Sequence, residues 1–311
     1  MKLYTYDNFI KPNKKTVVAL GNFDGVHKGH QQLIKLAVSK AKEKGLLSFA
    51  YIFERHPENV LSGRIVTPEI TSNVIKAKYM EEMGLDCLFF DRFDAKTASL
   101  EPESFGKSIL YNKLNAAAVV CGFHYHFGSG GSGDVGLLKE LCSKFNIEVY
   151  VLPPVTQNHI VISSSIIRSL IVEGKMEEAE SFMGHPYVLR AEITFGKKLG
   201  RTMGFPTVNQ FFDDRGIIPL HGVYVTTVKV QDKVYGGVTN VGIRPTVDRG
   251  RINAETHLLD FEGDLYGEIA EVSFLHRLRG EIKFSDLNHL KAQIDKDVSA
   301  ARAYLSCQKQ I

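Results

Sequence analysis

The 311-residue chain has no tryptophan and only four cysteines, and its 38 lysines and arginines against 35 aspartates and glutamates leave a net charge of +3. Each scarcity excludes a class. Cys87, Cys121, Cys142 and Cys307 are widely spaced and three lie in apolar stretches, which suits reduced core thiols rather than a disulfide or zinc framework. No polybasic run or arginine-rich helix stands out, so nucleic acid is not expected as the primary ligand. No apolar run approaches the length of a membrane span, and residues 1–15 are polar and basic without an apolar core of signal-peptide length; no membrane and a cytoplasmic location are expected. The HExxH metal pattern and the GxxxxGK[ST] phosphate loop are both absent. Nothing in the sequence decides the oligomeric state.

A hydrophobic content of 44% over this length suits two domains of ordinary size. Residues 16–20, 46–53, 86–91, 117–121 and 148–152 read as strands, with helices over 31–44, 72–83, 102–114 and 134–145 between them. Near-continuous apolar strands alternating with helices predict a doubly wound, Rossmann-like parallel sheet, with its ligand beyond the carboxyl ends of the strands. After residue 184 the texture changes to closely spaced strands, 188–195, 222–230, 234–241, 255–261 and 269–278, without intervening helices. That spacing predicts a compact antiparallel barrel. A terminal helix capped by Ser285 follows, with Leu287, Leu290, Ile294, Val298 and Leu305 on one apolar face. The predicted class is therefore α/β plus all-β, with domains 1–183 and 184–311.

Residues 21–30, GNFDGVHKGH, join the first strand to the first helix. Such a turn presents free backbone N–H groups and the positive end of a helix dipole to an anion, and glycine allows close backbone approach. His27 and His30 add two side-chain donors one helical turn apart. Incidental polar residues of a glycine-rich turn are the alternative; a metal site would need a third ligand at suitable spacing, and none follows.

Ser163, Ser164 and Ser165 open a further helix, with Arg168 one turn later. The hydroxyls either cap that helix or bind phosphate, and an arginine pairs with phosphate in bidentate fashion. Gly128, Gly130 and Gly133 spell GxGxxG before a helix, but no acidic residue follows at the ~20-residue distance that would take a ribose hydroxyl. A mobile flap over a nucleotide is the preferred reading of those glycines. A second glycine-rich, basic segment contains Gly196, Lys198, Gly200, Gly204, Pro206, Thr207 and Asn209. Thr207 and Asn209 alternate in an extended stretch and so put two oxygens on one face, a set that suits magnesium in company with nucleotide phosphates. A plain hairpin loop is the alternative there, and Glu255 alone would read as a solvated strand residue.

Residues 21–30 closely resemble the GxFDGxHxGH signature of bacterial FAD synthetases, the adenylyltransferase half of the bifunctional riboflavin kinase and FMN adenylyltransferase family. The resemblance runs along nearly the whole chain. It implies that Gly21, Phe23, Asp24, Gly25, His27 and His30 form a nucleotide site, the two histidines stabilising the transition state at the α-phosphorus. Residues 163–168 resemble the SSTxIR motif, whose serines and final arginine hold the β- and γ-phosphates; Ile166 stands where arginine is frequent. Residues 124–128 resemble the DFxFG segment that lines the nucleotide and flavin site through His124 and Phe127, with His124 in place of the acid or amide. Phe53, His56 and Pro57 resemble the FxPHP segment on the flavin side, with Arg55 where proline is usual.

In the second half, residues 196–209 resemble the GRxLGxPTAN motif of riboflavin kinases. That resemblance implies a flap over ATP, Mg²⁺ held by Thr207 and Asn209, and Glu255 as the general base on the ribityl 5′-hydroxyl. Arg277 and Phe284 match segments that contribute to the flavin site in relatives. The implied activity is phosphorylation of riboflavin to FMN with Mg-ATP, then adenylylation of FMN to FAD with release of pyrophosphate. ATP is co-substrate, and the expected partners are these small molecules. The departure at His124 keeps open an alternative, a riboflavin kinase whose first domain is a weak adenylyltransferase serving as a flavin-binding or regulatory module.

Overall fold

The structure is a computed structural model that describes residues 1–194, 205, 207–243 and 251–308. The chain divides into two compact units, Met1–Ser164 and Ser165–Ile311.

The first unit is built on six strands, β1 (Lys2–Thr5), β2 (Thr16–Leu20), β3 (Leu47–Phe53), β4 (Cys87–Asp91), β5 (Ala116–Gly122) and β6 (Glu148–Leu152). They lie in the order β1-β4-β3-β2-β5-β6, every neighbour parallel. Its helices are α1 (Lys28–Lys44), α2 (Pro57–Ser62), α3 (Asn73–Glu82), α4 (Ala95–Ala98), α5 (Pro102–Ser104), which runs on as π-helix through Phe105–Lys113, and α6 (Val135–Ser143). Successive side chains of a strand point to opposite faces, and β2 shows what that demands here. Val17 and Ala19 pack under α1 with Leu33, Ile34 and Ala37, whereas Val18 and Leu20 pack with Phe105, Leu110, Leu138 and Leu141 on the other face. Both faces are covered, as the continuous apolar strands require. The strand order reverses between β2 and β5, which puts a crevice beyond the carboxyl ends of those two strands. Of β1 only Tyr4 is buried, so its sequence carries no strand pattern. The small hairpin β7 (Thr156–Gln157) and β8 (Ile160–Val161) turns through Asn158 and His159, both at positive φ, the arrangement of a type I′ turn.

The second unit opens with α7 (Ser164–Val172) and α8 (Met176–Met183) and continues as an antiparallel sheet of β9 (Tyr187–Glu192), β10 (Thr207–Phe211), β11 (Gly222–Val230), β12 (Lys233–Ile243), β13 (Ile252–Leu258) and β14 (Ile269–Arg279). The order is β10-β13-β12-β11-β14-β9. Thr194 N–H donates to the Asn209 carbonyl at 2.8 Å, and this bridge brings the two outer strands together and rounds the sheet into a barrel. Gln210, fully buried, reinforces the closure by donating to the carbonyls of Ala191 and Ala270. Inside, Tyr187, Tyr224 and Phe274 pack ring against ring, and the hydroxyls of Thr226, Thr239 and Thr256 form a row with two contacts of 2.8 Å.

The terminal helix α9 (Leu287–Gln308) lays Val298, Ala301, Tyr304 and Leu305 on Val223, Val225, Val238 and Leu259. It is anchored by Arg279, whose guanidinium meets the buried Asp297 carboxylate through Nε and Nη2. Three sequence expectations shift in this unit. Strand 255–261 lies at 252–258, because Asp260 takes a positive φ and ends the ladder after Leu258, leaving Leu259 and Phe261 beyond it. The α9 cap is Asp286, whose carboxylate accepts from the N–H groups of Asn288 and His289, rather than Ser285. Leu287, expected on the apolar face, is exposed.

Cys87, Cys121 and Cys142 lie in the core and Cys307 is exposed. Burial disfavours the thiolate, pushing Cys87 up, Cys121 up to about 11 and Cys142 up to about 12. At pH 8 the native chain is therefore expected to take up one equivalent of iodoacetamide, at Cys307, and four after unfolding in urea. Mass spectrometry of the labelled peptides checks this, and native labelling of Cys121 or Cys142 would contradict it.

Candidate active sites

Between Leu20 and α1 the backbone follows a path that ordinary residues resist, with Phe23 at φ 49°, Gly25 at 81° and Val26 at 37°. Its surroundings compensate. The Phe23 ring is fully buried, and a side chain at Gly21 would meet it at 3.3 Å. The Asp24 carboxylate, also buried, accepts from Ile70 N–H at 3.0 Å and Thr71 N–H at 3.2 Å and has Lys76 Nζ at 3.9 Å. Gly25 lies directly under Ile70, and Ser164 Oγ donates to the Asp24 carbonyl at 2.8 Å. Gly21, Phe23, Asp24 and Gly25 thus build the turn from which the histidines project.

His27 is the N-cap of α1: its Nδ1 accepts from the His30 N–H at 3.3 Å. A neutral ring that accepts at Nδ1 carries its proton on Nε2, so His27 offers an N–H beside the helix N-terminus. The His30 ring stacks on it at 3.5 Å and meets the edge of Phe23 at 5.3 Å. Gly29 makes this possible, because a Cβ there would stand 3.1 Å from the His27 ring. Its role was hidden inside the motif, where it reads only as a turn residue.

The remaining first-site candidates are more dispersed. His124 is exposed just beyond the carboxyl end of β5, on the same sheet edge as His27. Phe127 is buried in the core beside Phe105 and Tyr125. Gly128 and Gly133 are required by packing: a Cβ at either would fall 2.7 Å from Pro102 or from the Phe127 ring, and Phe127 and Gly133 exchange both backbone hydrogen bonds. Ser165 and Arg168 lie one turn apart on α7. Asn22 Nδ2 stands 3.4 Å from His56 Nε2, a pairing that sequence spacing does not reveal.

In the barrel, Asn209 faces Glu255 across the β10–β13 ladder and Thr207 faces His257. Thr207 Oγ1 donates to Glu255 Oε1 at 2.7 Å, and Asn253 Nδ2 donates to Asn209 Oδ1 at 2.8 Å. Residues two apart on paired strands share a face, so Thr207, Asn209, Asn253 and Glu255 form one polar patch. Gly196, Lys198, Gly200, Gly204 and Pro206 lie outside the described residues. Arg277 is not part of the patch. It pairs with Tyr224 in the β11–β14 ladder, its Nη2 donates to the His221 carbonyl at 2.8 Å, and its side chain presses on Gly174 and Gly222.

The FAD synthetase family model matches residues 9–166 and the riboflavin kinase model matches residues 183–305. Both halves are thereby accounted for. The chain belongs to the bifunctional riboflavin kinase/FMN adenylyltransferase family. A curated bifunctional riboflavin kinase/FMN adenylyltransferase from Buchnera aphidicola subsp. Schizaphis graminum is 34% identical over 304 residues, 96% of this chain and 97% of that protein. One of the same name from Listeria monocytogenes is 36% identical over 305 residues, 97% of this chain and 96% of that protein. Among solved structures, one described as a macrolide-efflux protein from Streptococcus pneumoniae superposes with a TM-score of 0.88 at 31% identity, covering 97% of this chain and 99% of that one. No helix among the described residues is long and apolar enough to cross a membrane.

For a riboflavin kinase/FMN adenylyltransferase the position of the His27 ring becomes testable through Gly29. Gly29→Ala is expected to displace the His27 ring by a few tenths of an ångström and lower FAD formation, by less than the ~10²-fold that a misplacement of about 1 Å can cost, with riboflavin phosphorylation unchanged. Product chromatography after incubation with ATP and either FMN or riboflavin measures both, and parental FAD formation would show that the ring position is immaterial.

Proposed function

We infer that this enzyme makes FAD from riboflavin in two ATP-dependent steps, each served by its own set of side chains. Phosphorylation of riboflavin to FMN and adenylylation of FMN to FAD are the activities of the family, and both family matches are present in this one chain. The observation that carries the assignment of residues is the meeting of Thr207, Asn209 and Glu255 on neighbouring strands, although Asn209 and Glu255 are far apart in the sequence.

In the kinase half, Glu255 takes the proton from the ribityl 5′-hydroxyl as that hydroxyl's oxygen attacks the γ-phosphorus of ATP and the bond to the β,γ-bridging oxygen breaks, releasing ADP. The hydrogen bond from Thr207 fixes the carboxylate at Oε1 and leaves Oε2 to face the nucleophile. Thr207 and Asn209 would hold magnesium. The donor set fits: two neutral oxygens suit a hard cation whose remaining ligands are phosphate and water, and the buried Asn209 Nδ2 makes no hydrogen bond among the described residues, so one end of that amide lacks a partner. Magnesium bound there would draw charge from the triphosphate.

In the adenylyltransferase half, a phosphate oxygen of FMN attacks the α-phosphorus of ATP and the bond to the bridging oxygen breaks, releasing pyrophosphate. His27, with Nε2–H beside the N-terminus of α1, and His30 supply donors where charge gathers, with Ser163, Ser164, Ser165 and Arg168 on the leaving phosphates. His124 and Phe127 are assigned to the nucleotide and flavin side of this site. Arg277 is assigned to the flavin side of the kinase on motif resemblance alone. The functional boundary is proposed at 183/184, within one residue of the start of the riboflavin kinase match at 183, although the compact units part earlier, at 164/165. The free thiols suit a reducing compartment, so the enzyme is assigned to the cytoplasm, with riboflavin, FMN and ATP as its small-molecule partners.

Loss of a positioned general base typically costs ~10²–10⁴ in rate, and loss of one transition-state donor ~10²–10³. Glu255→Gln is therefore expected to abolish FMN formation from riboflavin yet leave FAD formation from added FMN. His30→Ala is expected to do the reverse. Chromatography of the products decides: FMN without FAD from the parental enzyme would overturn the bifunctional reading, and loss of both products in either variant would overturn the separation of the two centres.

A further inference from the structure

The two ends of the Asn209 amide have unequal surroundings. Oδ1 accepts from Asn253 Nδ2 at 2.8 Å, whereas Nδ2, in a residue only 2% exposed, makes no hydrogen bond among the described residues. An NH₂ group in that position gives up its hydration for nothing, which buried polar groups rarely do. Asn253, itself 6% exposed, makes no other side-chain hydrogen bond among the described residues. An amide's oxygen and nitrogen occupy equivalent places and are told apart by the partners they find. Rotating both amides by half a turn keeps the contact, now from Asn209 Nδ2 to Asn253 Oδ1. The bare position then holds an oxygen, which a cation satisfies and a buried N–H₂ would repel.

We propose that Asn253 is a positioning residue: by accepting from Asn209 Nδ2 it holds Asn209 Oδ1 toward the divalent cation that accompanies ATP. Asn253 touches neither the cation nor substrate. Its two-residue offset from Glu255 on β13 puts it on the same face, directly behind the ligand it orients. Partners of this kind typically change metal affinity by ~10–100-fold when removed. The proposal rests on the reading that Thr207 and Asn209 hold the cation, and the test separates the two.

The experiment measures ADP binding to the full-length enzyme by calorimetry, in Mg²⁺ and in EDTA, for the parent and for Asn253→Ala, Asn253→Asp and Asn209→Leu. Any binding at the N-terminal site is common to all four and cancels in the comparison. Asn253→Ala is expected to lose about tenfold of the affinity gained from Mg²⁺, with binding in EDTA unchanged. Asn253→Asp, whose carboxylate can only accept, is expected to keep the gain and a parental magnesium requirement in riboflavin phosphorylation. Retention of the gain in Asn253→Ala, or its loss in Asn253→Asp, overturns the positioning role; should the alanine variant fail to fold, the aspartate variant decides alone. A full gain in Asn209→Leu overturns the metal reading and the positioning role with it, whereas loss there beside retention in Asn253→Ala sinks the positioning role only.

Discussion

A polar group withdrawn from water must find a partner, and both candidate sites lie where this chain meets that demand with side chains rather than with regular backbone ladders. Asp24 takes up two N–H groups of the 70–71 loop, His27 takes one from α1, Glu255 takes the Thr207 hydroxyl, and Asn253 takes one end of Asn209. Each contact adds only about 1 kcal/mol net, small beside the apolar burial of either core. Their value is geometric, since each fixes a chemically useful atom to within a hydrogen bond's tolerance.

The two units reach that precision differently. In the first, reversal of strand order makes a crevice at the carboxyl edge of the sheet, and a strained turn at that edge leads into the two stacked imidazoles. Backbone conformations as unfavourable as those of Phe23 and Val26 persist because a buried ring, a buried carboxylate and a glycine under Ile70 hold them in place. In the second, precision comes from register. One residue of slip between β10 and β13 would turn Thr207 and Asn209 away from Glu255, and the Thr194–Asn209 bridge with Gln210 inside the barrel resists it.

Much of this was legible in the residues. The alternation of apolar strands and helices gave the two-faced sheet, closely spaced strands gave the barrel, and motif resemblance led to His27, His30, Thr207, Asn209 and Glu255. What escaped depended on tertiary geometry. Leu258, Leu259 and Phe261 continue an apolar run that looks like strand, yet the backbone turns at Asp260. Ser285 and Asp286 are both good caps, and only the approach of the Asn288 and His289 amides chooses between them. The glycines of the GxGxxG pattern suggested a nucleotide flap, whereas Pro102 and the Phe127 ring are sufficient reason for two of them. Asn253 carried no signal at all, because its importance lies in which atom of a neighbour it meets.

The threonine row inside the barrel has a property that no single residue in it possesses. Thr226, Thr239 and Thr256 share two hydroxyl contacts, and each hydroxyl has one hydrogen to give. If the middle hydroxyl points its hydrogen one way, the neighbour behind it must point the same way to keep both contacts, so the dipoles align head to tail. Wherever the middle hydroxyl donates to one neighbour instead of accepting from both, the row carries an uncharged polarity whose sense reverses only when all three groups rotate together.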